Sequence, residues 1–127
     1  MYVLEGPPVP LARARHGRGF TYDPQKNLKL LLQLKLKAQH TGPLITTAIR
    51  LSITFFMPIP ATRRRKRSSI SGHPHCSKPD VDNLLKLVSD IGTGIIWKDD
   101  ALIWSIYVQK IYDDNPRTEI HIEGKGF

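Results

Sequence analysis

One cysteine, Cys76, stands among 127 residues, so no internal disulfide framework exists and the chain suits a reducing compartment such as the cytosol. Long hydrophobic runs are missing as well. The stretch over residues 53–60, broken by Thr54, falls far short of a membrane span, and no membrane partner is expected. The N-terminal residues carry neither a basic n-region nor a long apolar h-region, so no secretory signal is expected and the chain reads as soluble and cytoplasmic. There is no internal repeat. Negative charge is scarce: 11 acidic residues face 19 Lys and Arg, a formal charge of +8. A pI near 9.9 favours a polyanionic partner, nucleic acid before any other.

What is present indicates one domain over residues 1–127, long enough for a real core and too short for two. A hydrophobic content of 40% argues for a globular chain and against general disorder. Residues 2–4 suit a short strand, stopped by Gly6, Pro7, Pro8 and Pro10, and Arg13, Arg15 and Arg18 follow in a loop. Asp23-Pro24 is expected to start a helix reaching about His40, with Asp23 as N-cap and Leu28, Leu31, Leu32 and Leu36 as its apolar stripe. Residues 44–57 read as one long strand, 95–97 and 102–112 as further strands, and 118–123 as the last. A second helix should follow Asp82, with an apolar face of Leu84, Leu87, Val88 and Ile91, and Gly92-Thr93-Gly94 should close it. The class expected is α+β, two main helices on a small mixed sheet. Between strand and second helix, a basic loop over about residues 61–77, opened by Arg63, Arg64, Arg65, Lys66 and Arg67, is expected to be mobile.

The acids are not evenly spread. Five of the eleven, Asp80, Asp82, Asp90, Asp99 and Asp100, fall within 21 residues, and outside residues 80–100 there remain 17 basic against 6 acidic residues. An acidic knot in a basic body suits a hard divalent cation held where a polyanion is attracted. Asp80 and Asp82, two apart in a chain that Pro79 biases towards extension, would point the same way. A purely structural reading stands beside this one. Asp82 would cap the helix, Asp82, Lys86 and Asp90 would form a surface ladder, and Asp99-Asp100 would be a turn before a strand.

The order Lys78-Pro79-Asp80-Val81-Asp82-Asn83-Leu84-Leu85-Lys86, then Asp90, Trp97-Lys98-Asp99-Asp100-Ala101 and Lys110, resembles the motif of the RusA family of Holliday junction resolvases. The ordered match spans about 33 residues; the strand, arginines, helix and long strand before it also suit that family. One departure is Asp90-Ile91-Gly92-Thr93-Gly94, where family members commonly have Asp-Ala-Leu-Asn-Gly. The resemblance implies that Asp80, Asp82 and Asp100 are catalytic metal ligands and Lys86 the catalytic lysine, with Asn83, Asp90 and Asp99 in support. It implies Mg²⁺ as cofactor, replaceable by Mn²⁺, a homodimer, and four-way DNA junctions as substrate.

That chemistry has a physical reason. A divalent ion coordinates a phosphate oxygen and lowers the pKa of bound water, and Mg²⁺ needs few protein oxygens because it keeps its own waters. A lysine beside it can orient the nucleophile or offset charge on the phosphate. Lys78 and residues 63–67 are the candidate phosphate contacts. His73, His75 and Cys76 lie close together but lack a convincing fourth zinc ligand, and His75 is a possible DNA contact. Two other functions remain open on residues alone: a non-catalytic nucleic-acid-binding module, or a Mg²⁺-dependent phosphoesterase acting on RNA or other branched DNA.

Overall fold

The computed structural model describes residues 1–12, 15–62 and 70–126, and for Arg15 the backbone alone. Residues 63–67, the basic run, therefore lie outside the described residues.

The central strand is β4, Ile49–Pro58, flanked by β5, Ile103–Asp113, and β6, Arg117–Lys125. With β1, Tyr2–Glu5, they form one sheet in the order β1-β6-β4-β5. β4 runs antiparallel to β6 and parallel to β5, so the sheet is mixed. A parallel neighbour needs a crossover connection, and the one from β4 to β5 contains helix α2, Val81–Gly92. Helix α1, Lys26–Gln39, precedes β4.

Strand alternation decides what the sheet buries. Ile49, Leu51, Ile53, Phe55 and Met57 of β4 face inward, and Leu32 and Leu36 of α1 meet Leu84, Leu87, Val88 and Ile91 of α2 against them. Both helices thus lie on one face of the sheet, the α+β arrangement expected. The opposite face mixes polar side chains with aromatic ones, Phe56 and the exposed Tyr107 among them, and is partly solvated. There the Arg117 guanidinium stacks 3.7 Å above the Phe56 ring and pairs with Glu119 at 2.7 Å. No helix among the described residues is long and apolar enough to cross a membrane.

Several local expectations need correcting. α1 starts at Lys26, not at Pro24, and its N-cap is Gln25. Asp23 instead accepts the Gln25 N–H at 2.8 Å in a turn, and its other oxygen is taken by Lys29. Leu28, Leu32 and Leu36, spaced by four, follow the buried face, whereas Leu31 lies on its flank and is exposed. The strand expected over 44–57 begins only at Ile49; before it, Ile45 makes a lone bridge to Trp97. Residues 95–97 form no strand but a turn closed by Gly94 N–H on the Trp97 carbonyl at 2.7 Å. A hairpin that the sequence reading missed, β2 (Arg15–Gly17) with β3 (Phe20–Tyr22), occupies the arginine loop.

Residues 70–77, expected within the mobile loop, are hydrogen-bonded to β5. Gly72 N–H donates to the Tyr112 carbonyl at 2.7 Å, and Tyr112 N–H donates to that of His73 at 3.0 Å. Ile70 and His75 are buried there.

Candidate active site

Two short segments bring the acids to one flank of α2. The first is the N-terminus of the helix itself. Asp80, extended at φ −70°, ψ 146°, holds the N-cap position, and Asp82 lies in the first turn. The expectation that Asp82 caps the helix is therefore wrong. Asp80 makes no side-chain capping bond either, because its carboxylate is drawn outward to Lys78 Nζ at 3.0 Å. Asp82 faces Lys86 one turn on, Nζ to Oδ2 3.7 Å. Asp80 and Asp82 share an open depression with Ser77, Lys78 and Lys110, although one is extended and the other helical. Negative charge at this end also suits the helix dipole.

The second segment follows α2. Gly92 lets the chain turn tightly: a β-carbon there would drive into the indole of Trp97, which is fully buried. The Trp97 ring N–H donates to Thr93 Oγ1 at 3.1 Å, and Lys98 N–H donates to the Ile45 carbonyl at 3.0 Å. Asp99 then accepts the Ala101 N–H at 2.9 Å, capping a 3-10 turn over Asp100–Leu102. That backbone bond, first of all, holds the Asp99 carboxyl below its usual range. Asp100 points back to α2, where Ser89 Oγ donates to its Oδ2 at 3.2 Å.

Asp100, Ser89 and Lys86 line a second depression with Asp90, Lys29 and Asp23. Lys29, reaching over from α1, binds Asp23 at 2.6 Å and Asp90 at 2.8 Å. Burial alone would lower the Lys29 pKa, but the hydrogen bonds to Asp23 and Asp90 outweigh it and raise it. The same bond, with Gln25 N–H, lowers that of Asp23. Asp90 thus pairs with α1 and not with Lys86 as the surface-ladder reading would have it. Asn83 ties the N-terminal arm to α2 by accepting the Leu11 N–H on its carbonyl at 3.0 Å.

The structure accordingly groups Asp80 with Asp82, and Asp100 with Asp90, on either side of Lys86. Among the described residues no three His, Cys, Asp or Glu side chains converge on one ion-sized point. The donor chemistry nevertheless fits Mg²⁺: carboxylate oxygens are the ligands it takes, and it requires one or two of them. Of the residues in the basic loop, His75 is buried beside Tyr112 with ring centroids 4.9 Å apart, and its Nδ1 has no hydrogen-bond partner among the described residues. Burial first, and the charge of Lys110 second, depress its pKa. Cys76 is exposed. Sequence reasoning missed Lys29, Asp23 and Ser89, because their pairings join segments distant in the chain or carry no motif.

A family model for the endodeoxyribonuclease RusA matches residues 5–123 of the chain. An uncharacterised protein of Bacillus subtilis strain 168, YqaN, is 29% identical over 133 residues, covering 95% of this chain and 93% of that protein.

Proposed function

Because the chain belongs to the RusA family, and so to the Holliday junction resolvase class of endodeoxyribonucleases, we propose that it resolves four-way DNA junctions by paired symmetric nicks, in recombination and repair. The observation that supports this reading is that the motif's two halves lie along one flank of α2, in neighbouring depressions: Asp80 and Asp82 at the head of the helix, Asp100 bonded to Ser89 two turns on. Mg²⁺, or Mn²⁺ in its place, is the proposed cofactor, held by Asp80, Asp82 and Asp100. When bound, it supplies a water of lowered pKa and neutralises phosphate charge.

The chain's own groups do the rest. Asp80, at the N-cap, and Asp82, in the first turn, carry their carboxylates on short stems close to the backbone of the helix end. Lys86 lies between the two acidic groups, with its Nζ within 3.7 Å of Asp82. An ammonium in that position orients a nucleophile or offsets charge on the non-bridging oxygens. Ser89 and Asp99 orient the Asp100 segment, and Asp90, paired with Lys29, fixes α2 against α1. Lys78 and the run Arg63, Arg64, Arg65, Lys66 and Arg67 are proposed as phosphate contacts. A junction has two-fold symmetry, so two cuts in register call for a C2 homodimer. The proposed location is the cytoplasm.

Nicking of labelled four-way junctions, linear duplex, other branched DNA and RNA, each with Mg²⁺ or with chelator, tests the proposal. Symmetric cuts in the junction alone, abolished by chelator, are expected. Cleavage of RNA, or of flaps in preference to junctions, would turn the reading to another phosphoesterase. Tight junction binding with no cleavage under any divalent ion would leave a binding module.

A further inference from the structure

Lys110 of β5 is a third lysine beside the acids, and it is bonded differently from Lys78 and Lys86. Its Nζ donates to two backbone carbonyls, those of Ser77 and Pro79, at 2.7 Å each. Its own carbonyl accepts the His75 N–H at 3.1 Å. One residue of a sheet strand therefore holds positions 75, 77 and 79, the run that delivers Asp80 to the head of α2. Lys78 and Lys86, in contrast, pair with exposed carboxylates and have largely exposed side chains.

The distribution of these bonds is informative. Residues 72–75 are held by backbone bonds to β5 at Tyr112 and Lys110, which no side-chain change removes. Beyond His75, the Lys110 side chain is what joins residues 77–79 to the sheet. The carbonyls of Ser77 and Pro79 are strong acceptors in a segment with no ladder partner, and an ammonium supplies charge-assisted bonds to both. Two of its three hydrogens are thereby committed, so at most one remains for a phosphate.

We propose that Lys110 is a positioning residue: by clamping the Ser77 and Pro79 carbonyls it sets the direction in which Asp80 and Asp82 face the depression they share. The inference rests on the endonuclease reading for its meaning, but its structural content is independent of cleavage. It differs from the plain alternative, that Lys110 is one more cation attracting DNA.

The test compares Lys110→Met, which keeps the stem and loses the donors, with Lys110→Arg, which restores two donors. Amide ¹⁵N relaxation of the free protein is the first measurement. In Lys110→Met, order parameters at Ser77, Lys78 and Asp80 should fall from about 0.85 to below about 0.6, while His73 and His75 stay rigid. Mn²⁺ binding, followed by the resonance of the free ion, should weaken roughly ten- to a hundredfold, as for other supports of metal ligands. Junction affinity in chelator should change by less than about threefold, since at most one phosphate contact is lost. Lys110→Arg should recover the rigidity and part of the Mn²⁺ affinity.

Unchanged order parameters and Mn²⁺ affinity, with a clear loss of junction affinity, would overturn the proposal in favour of a phosphate contact. Loosening of the whole protein in Lys110→Met, without recovery in Lys110→Arg, would overturn it in favour of a general structural role. If the wild-type protein cut no junction, the endonuclease reading would fail while the relaxation result still decided the role of Lys110.

Discussion

At the scale of single residues, the acids divide by what each is bonded to. Asp99 spends its carboxylate on the Ala101 N–H, so its work is to shape the turn, whereas Asp80, Asp82 and Asp100 meet the side chains of Lys78, Lys86 and Ser89 and line open depressions. Asp80→Asn, Asp82→Asn and Asp100→Asn should each abolish Mg²⁺-dependent nicking while leaving junction binding equal or tighter. Loss of a ligand charge disables the ion and at the same time lessens repulsion of phosphate. Gel-shift and nicking assays on one preparation check both halves. Lys86→Ala should lower the rate at saturating junction by about a hundredfold or more, with little change in affinity, because its place is at the reacting phosphate. Lost affinity with an intact rate would instead make it a simple phosphate contact.

His75 gives a pH prediction at the same scale. Its pKa in the fold is depressed, by burial first and by Lys110 second, so the unfolded chain binds the proton more readily. Stability from this group is complete above its ordinary pKa near 6.5 and is lost as pH falls through the lower folded value. The slope cannot exceed one proton, about 1.4 kcal/mol per pH unit. Denaturation midpoints between pH 7.5 and 5 should fall for the wild type and fall less for His75→Phe. Parallel curves would remove His75 from the account.

At the scale of elements, the flank of α2 is set by packing at both ends. Gly92 meets Trp97 so closely that an added methyl must displace a fully buried indole. Gly92→Ala should therefore cost about 1–3 kcal/mol, in spite of alanine's better helix propensity, and thermal unfolding measures it. Because the displaced turn carries Asp99 and Asp100, nicking should drop further than stability explains at a temperature where the variant is still folded. A stable, fully active Gly92→Ala would show that the turn after α2 tolerates more than its contacts suggest.

At the scale of the whole molecule, charge rather than shape dominates the expected encounter with DNA. The body is strongly basic outside residues 80–100, and the five-residue run at 63–67 is its densest part. Neutralising Arg63, Arg64, Arg65, Lys66 and Arg67 together should weaken junction binding broadly. Each lost phosphate contact should remove roughly 0.7–0.9 from the log–log salt slope. Binding isotherms across a salt series read this directly, and an unchanged slope would remove residues 63–67 from the interface. Cleavage at saturating protein should fall far less than in the Asp variants.

The sequence determined what depends on local chemistry. The apolar face of α2 was legible because the i, i+3, i+4 spacing of Leu84, Leu87, Val88 and Ile91 maps directly onto burial, and β4 was legible as a strand from its Ile, Thr and Phe content. The motif from Lys78 to Asp100 was legible because its residue types and order carry chemistry whatever their surroundings. Element ends were less so. Asp23 looked like a cap but bonds to Gln25 and Lys29, since a short carboxylate takes whichever donor the fold brings nearest. Only tertiary structure decided that Asp90 answers to Lys29 of α1, that Ser89 holds Asp100, and that Lys110 clamps the approach to Asp80. Those bonds join residues 11 to 61 positions apart, and no local pattern encodes them. They form because a parallel β4–β5 pair with α2 in its crossover lays these segments side by side.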